Sequence, residues 1–213
     1  MTTVAVESSG GGFEPVAAGA YAAICDQVVD LGLQPGGQYD PKHKVYIRFQ
    51  VPAERVTWKN KDGQEQEGPM VIGRTFTLSL GEKSYLRPFL ESWRGRAFTP
   101  DELRGFDIKN VLSVPAMIQV VHDTLKDGKV FAKVASAMSL PKGMPKPQAE
   151  GTFLYYDCDR PDSAVFEKLS KFIKGKIENR LTPEEVIHHM ADTSDPNLPP
   201  VEAYEDDLDS IPF

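Results

Sequence analysis

The sequence predicts a mainly β protein with short helices: a five-stranded Greek-key barrel, then a C-terminal helical segment and a disordered acidic tail. Three observations carry this. Five strand-like stretches precede Leu140, and His43–Val51, Met70–Leu80 and Val130–Met138 among them show period-2 alternation. The period becomes helical between the third and fourth stretches. After Leu140 a proline-rich linker leads to a second helical pattern, and then to a stretch rich in acids and without bases.

Residues 1–12, ending in Ser8-Ser9-Gly10-Gly11-Gly12, read as a flexible leader with no basic or long apolar run, so no secretory signal is expected. Gly19–Leu31 forms the first strand, closed by Gly32 and Pro35-Gly36-Gly37. In His43–Val51, Val45, Ile47, Phe49 and Val51 alternate with Lys44, Tyr46, Arg48 and Gln50, so one face is buried; Pro52 ends this strand. The extended piece Arg55–Lys59 runs into Asn60-Lys61-Asp62-Gly63, a turn signal. Met70–Leu80 is the third strand, with Ile72, Arg74, Phe76, Leu78 and Leu80 on one side.

Across Glu82–Arg94, Leu86, Phe89, Leu90 and Trp93 share one helical face, and Pro88 is expected to kink or shorten the helix. Thr99-Pro100-Asp101-Glu102 is a capping box with proline at the first helical position. Pro115–His122 and Val130–Met138 are the fourth and fifth strands, joined by the turn Lys126-Asp127-Gly128-Lys129. Thr152–Tyr156 adds a further extended piece. Val165, Leu169, Phe172, Ile173 and Ile177 line one face of a later helix, free to pack back on the barrel or to self-associate. Thr182-Pro183-Glu184-Glu185 opens a last short one. The expected division is a leader at 1–12, a barrel domain at 13–139, a linker and helical extension at 140–190, and the tail at 191–213. Five strands with a helix between the third and fourth is the order of the OB-fold, which binds oligonucleotides across its strand 2 and 3 face.

Composition narrows the class. The chain has 213 residues, 24 Lys and Arg against 31 Asp and Glu, and a net charge of −7. No apolar run approaches the roughly 18 residues of a membrane span. Cys25 and Cys158 stand outside any CxxC pattern, so neither zinc nor a disulfide framework is expected, and a reducing cytoplasm is the expected setting. The charge is unevenly placed. Residues 191–213 hold seven acids and no base, leaving 24 acids against 24 bases elsewhere. Residues 42–96 carry 11 bases and six acids.

Single strands gripped without sequence preference require cations for phosphates and aromatic faces for bases. The solvent side of the second strand offers Lys44, Tyr46 and Arg48; the next hairpin, Trp58 and Lys59; the third strand, Arg74 and Phe76; the segment beyond, Arg94 and Arg96. Tyr46 and Trp58, each flanked by bases, are the expected stacking platforms. Trp93 is assigned to the core, and Phe76 suits either role.

The chain ends Glu205-Asp-Asp-Leu-Asp-Ser-Ile-Pro-Phe213. This ending resembles the tip of single-stranded DNA-binding proteins (SSBs), in which clustered aspartates precede Ile-Pro-Phe. Ile211, Pro212 and Phe213 match, Asp206, Asp207 and Asp209 supply the acids, and Leu208 and Ser210 depart from the pattern. From Phe13 to Arg180 the chain resembles a phage family of SSBs through Gly81-Glu-Lys-Ser-Tyr-Leu-Arg, Trp93-Arg-Gly-Arg, Phe106-Asp-Ile-Lys-Asn and Leu140-Pro-Lys-Gly. The resemblance implies a protein that coats single-stranded DNA in a host cytoplasm during replication, recombination or repair. It also implies that the tip recruits partner proteins, and that without DNA the tail competes for the cationic groove.

Enzymatic readings find little footing. His43, His122, His188 and His189 have no carboxylate or cysteine at ligand spacing, so no metal or other cofactor is expected. Gly10-Gly11-Gly12 lacks the Lys-Ser/Thr of a phosphate loop. Asp162 followed by Glu167-Lys168 only faintly matches a nuclease carboxylate pattern. The alternative of another class is a replication or recombination adaptor with little DNA binding of its own. Oligomeric state is left open.

Overall fold

A computed structural model describes residues 16–36, 39–59, 62–125, 128–182 and 184–185. Its strands are β1 (Gly19–Gly36), β2 (Tyr39–Lys59), β3 (Glu65–Thr77), β4 (Pro115–Thr124), β5 (Val130–Met138) and β6 (Leu154–Tyr156). Helices α1 (Leu86–Arg94) and α2 (Pro100–Arg104) and the 3-10 turn Ile108–Val111 lie between β3 and β4; α3 (Ser163–Glu167) and α4 (Lys171–Glu178) follow β6. The protein is mainly β. Its strands run in the order β3-β2-β1-β4-β5, every neighbour antiparallel, and β6 joins β1 in parallel. The sheet curls into a half-barrel whose outer strands, β3 and β5, come into contact. Among the described residues no helix is long and apolar enough to cross a membrane.

The inner core follows the alternation of β2. Val45, Ile47, Phe49 and Val51 are buried, and α1 closes over them with Leu86, Phe89, Leu90 and Trp93. Phe49 meets Trp93 at 5.0 Å between ring centres, and Phe76 meets Phe89 at 4.7 Å. The Trp93 indole N–H donates to the Pro115 carbonyl at 2.9 Å, satisfying its one polar atom. Of the two effects expected of Pro88, the helix is shortened. The helix starts at Leu86, which puts the proline in the first turn, where its missing N–H has no helical acceptor to lose. The capping box forms as expected: Thr99 accepts from the Glu102 N–H and Glu102 from the Thr99 N–H.

Two strands outrun their expected ends. β1 continues past Gly32 to Gly36 by slipping register between Asp30 and Gly32. β2 continues through Pro52, because register also shifts between Val51 and Arg55 and the proline sits where no ladder N–H is required. The piece Arg55–Lys59 is therefore the far half of β2, paired with the start of β3.

The second helical pattern divides. Ser170 caps a new start by accepting from the Ile173 N–H at 3.3 Å, so α3 and α4 replace one continuous helix. Of the two fates open to this apolar face, the chain packs it on its own sheet. Leu169, Ile173 and Ile177 form a second core with Val29, Leu31, Tyr46 and Tyr156. Amide side chains fasten the cover: Gln50 exchanges two hydrogen bonds with the Glu150 backbone, and Gln34 donates to the Lys176 carbonyl at 3.0 Å. Ala23–Val29 is consequently buried without interruption, a strand enclosed on both faces.

Fully burying Ile173 contributes about 2 kcal/mol of transfer free energy, and truncation adds a cavity term. Ile173→Ala is expected to lower the free energy of unfolding by about 3 kcal/mol in a urea titration that remains a single transition. A variant whose main transition does not move would show that the extension unfolds separately from the sheet.

Candidate nucleic-acid interface

The residues expected to contact nucleic acid separate into four places. The outer face of β2 is expected to supply Lys44, Tyr46 and Arg48, but Tyr46 there packs into the second core with α4 and Tyr156 of β6. Tyr46 is 3% exposed, and a β carbon on Gly73 of β3 would collide with its ring and hydroxyl, so β3 carries glycine there. Burial pushes the Tyr46 hydroxyl well above its ordinary value. Such a ring cannot stack on a base, which corrects the expectation for Tyr46. Its parity on β2 is as expected, away from the inner core; the second core that buries it comes from residues far along the chain. Arg48 is also committed. Its guanidinium grips Asp26 at 3.1 and 2.8 Å, a two-point pair that compensates a carboxylate only 3% exposed. Burial still raises the Asp26 carboxyl above its usual range, and Arg48 opposes that rise. Lys44 is half-buried beside them.

Arg94 and Arg96 converge on Glu102, the capping-box carboxylate of α2. Arg94 also lies over the Phe98 and Phe106 rings, 4.2 and 5.2 Å from their centres. It braces the loop between α1 and the 3-10 turn, and only Arg96 keeps much of its side chain in solvent. Arg94 is thereby engaged within the fold.

Trp58 and Lys59 fare differently. Both are exposed near the end of the β2–β3 hairpin, with Trp58 46% exposed and its ring lying over Gly68. An exposed indole beside a lysine is a usable stacking face.

Arg74 and Phe76 belong to the fourth place, the seam between the outer strands. Among the described residues no backbone ladder joins β3 to β5. Arg74 reaches across instead, donating to the carbonyls of Val134 at 2.9 Å and Ala135 at 3.2 Å. Phe76 is buried beneath, with the Arg74 guanidinium 5.0 Å from its ring centre. Phe76 is therefore core, and Arg74 a clasp across the seam.

Beside this clasp opens a cleft of about 770 Å³, walled by β3, the Ser79–Tyr85 loop, α1 and β5. Phe76 and Phe89 reach its lining, Lys42, Arg74, Lys83 and Lys133 supply charge, and none of the lining residues is acidic. Tyr85 stands there 63% exposed. The Thr75 hydroxyl, also lining the cleft, is shielded from solvent and has no hydrogen-bond partner. Lys133 additionally pairs with Asp123 at 2.7 Å. The cleft joins fixed positive charge, hydroxyl donors and an aromatic face, the requirements of a phosphate-bearing polymer.

Lys42, Lys83, Tyr85 and Lys133 were absent from the expected set. Three sit in turns or strand ends that carry no periodic signal, and Lys133 lies on a strand far away in sequence. A pointer did exist: Gly81-Glu-Lys-Ser-Tyr, one of the motifs carrying the SSB resemblance, contributes four of the lining residues. The tip residues Asp206, Asp207, Asp209, Ile211, Pro212 and Phe213 lie outside the described residues. Comparison with protein-family models, with curated proteins and with solved structures gives no match.

Hydrogen bonds from Arg96 and the Thr99 N–H, with Arg94, hold the Glu102 carboxyl down to about 2. A depressed carboxyl adds stability above its unfolded value, near 4.5, that is lost as pH falls toward about 2. Glu102→Gln is expected to flatten the fall in Tm over that window. An unchanged acid slope would show that Glu102 is not the group responsible.

Proposed function

We propose that this protein binds single-stranded DNA without sequence preference and recruits replication or recombination proteins through its C-terminal tip. The observation that carries this is the acid-free cationic cleft at the β3–β5 seam, with Tyr85 beside it and Thr75 unpartnered within it. The exposed Trp58 and Lys59 of the β2–β3 hairpin extend the same chemistry. The strand order, with helices inserted between β3 and β4, suits an OB-like Greek-key barrel opened at its β3–β5 seam. The binding surface on this reading is the seam and the hairpin, not the covered outer face of β2.

The tail completes the mechanism. Its carboxylates compete with phosphates for the cleft lysines at low salt, and DNA displaces them, freeing Ile211-Pro212-Phe213 for an apolar pocket on a partner. Both contacts are electrostatic and weaken together as salt rises. The protein acts by binding and carries out no chemical step.

Fluorescence anisotropy with labelled oligothymidylate tests this. Lys42→Glu/Lys83→Glu is expected to weaken binding at least about tenfold at low salt, and Tyr85→Ala to cost about 1–3 kcal/mol if a base stacks on it. Four or five phosphate contacts give a slope of log K against log salt of about −3. A chain ending at Tyr204 should bind more tightly at low salt and lose its protein partners. Binding that survives the double charge reversal unchanged would exclude the cleft, and no binding to any single strand would favour the adaptor alternative.

A further inference from the structure

The fold brings together three side chains that no spacing in the sequence links. We infer that Asp30, His43 and Cys158 form a site for a divalent transition-metal ion of the zinc class, tying the segment after β6 to the β1–β2 ladder. One donor atom of each, a carboxylate oxygen, a ring nitrogen and a thiol sulfur, lies within 4.8 Å of the other two. A tetrahedral ion with bonds of about 2.0–2.3 Å sets such atoms about 3.3–3.8 Å apart. Closing on an ion therefore needs the Asp30–His43 contact, now 2.5 Å, to open and the sulfur to approach by about 1.5 Å at most, within the reach of side-chain rotation.

Backbone geometry aims the trio. Asp30 lies opposite Val45, one alternation along β2 from His43 and on the same face, and the register slips just after it, before Gly32. The Gly32 N–H donates to the Asp30 carboxylate at 2.8 Å and fixes its orientation, the kind of outer contact that orients metal ligands. Gly32 itself has φ +69°, and a β carbon there would lie 2.8 Å from Arg180 Cδ and 3.3 Å from Cys158 Sγ, so glycine is what admits the thiol against β1. The Asp30 side chain is 14% exposed and that of His43 39%, so the ion is shielded beneath and reachable from solvent beside the imidazole.

The donor set selects the ion. Thiolate and imidazole suit zinc, whereas magnesium and calcium take oxygen ligands. Asp157 and Asp159 each bring a carboxylate oxygen within 4.8 Å of one from Asp30, and either of them, or water, completes the fourth position. Arg160 contacts Asp157 at 3.4 Å and offsets part of this negative charge. The site is separate from the lysine-lined cleft and does not depend on nucleic-acid binding.

The test is cobalt(II) titration of the full chain, stripped of metal by chelator and kept reduced. One cobalt per chain is expected, with tetrahedral visible bands and a near-ultraviolet thiolate-to-cobalt charge-transfer band, both erased by zinc. Cys158→Ser should abolish the charge-transfer band, and His43→Ala should weaken binding about tenfold or more, whereas Cys25→Ser, altering the inner core, leaves the spectrum in place. Thermal unfolding without metal checks that each variant folds; should either fail, Cys158→Ala and His43→Gln serve the same comparison. Saturating zinc should raise the Tm of the parent chain and not of Cys158→Ser. No saturable thiolate band, or a band that survives substitution of Cys158, would overturn the site.

Discussion

The enclosure of β1 on both faces is the constraint from which the rest of the molecule follows. Seven consecutive residues, Ala23–Val29, are buried, and each face needs its own covering layer. The inner face takes α1 and the curled sheet; the outer face takes α4, joined by Tyr156 of the adjoining β6. Asp26 lies inside this enclosure, where a lone carboxylate would cost several kcal/mol, and Arg48 on the neighbouring strand is the charge that makes its burial tolerable. A strand used on both sides has no face left for a ligand. The outer face of β2 is thereby closed over at Tyr46, while cationic and aromatic side chains remain exposed at the seam and the hairpin.

Electrostatics follow the same logic. Five arginines of the cationic stretch, Arg48, Arg55, Arg87, Arg94 and Arg96, sit in ion pairs with carboxylates from as near as one helical turn and as far as Glu150. Their positive charge is largely answered within the fold. Field builds up where cations gather with few acids, and the lysine-lined cleft, with no acidic residue in its lining, is such a place. Its position comes from incomplete closure: β3 and β5 touch without a ladder, and the Arg74 guanidinium satisfies two β5 carbonyls that a paired strand would otherwise occupy. One side chain thus holds the curl together and leaves a groove beside it.

Much of the architecture could be read from local pattern. Strand-like stretches located five strands, three of them by alternation, the i, i+3, i+4, i+7 spacing located α1 together with its buried face, and the capping box at Thr99 formed as its residue types dictate. These features succeed because their cause is local, residing in side-chain alternation, helical periodicity and a hydroxyl three residues from a carboxylate. Failures arose where a distant partner decides. Pro52 ends a strand by propensity, yet the bulge against β3 carries β2 past it. Tyr46 points away from the inner core by parity, yet residues more than a hundred positions later bury it.

By itself the sequence determined the mainly β class, the strand and helix order, the inner core and the separation of a neutral body from an acidic tail, because alternation, capping and charge are properties of neighbouring residues. Only the tertiary structure decided which cations remain available, which aromatic rings meet solvent and where a cleft opens. It also decided that Asp30, His43 and Cys158, far apart in the chain, share one corner of the fold. Availability depends on what covers a residue, and here the covering groups come from the far end of the chain, where no local pattern of β2 could announce them.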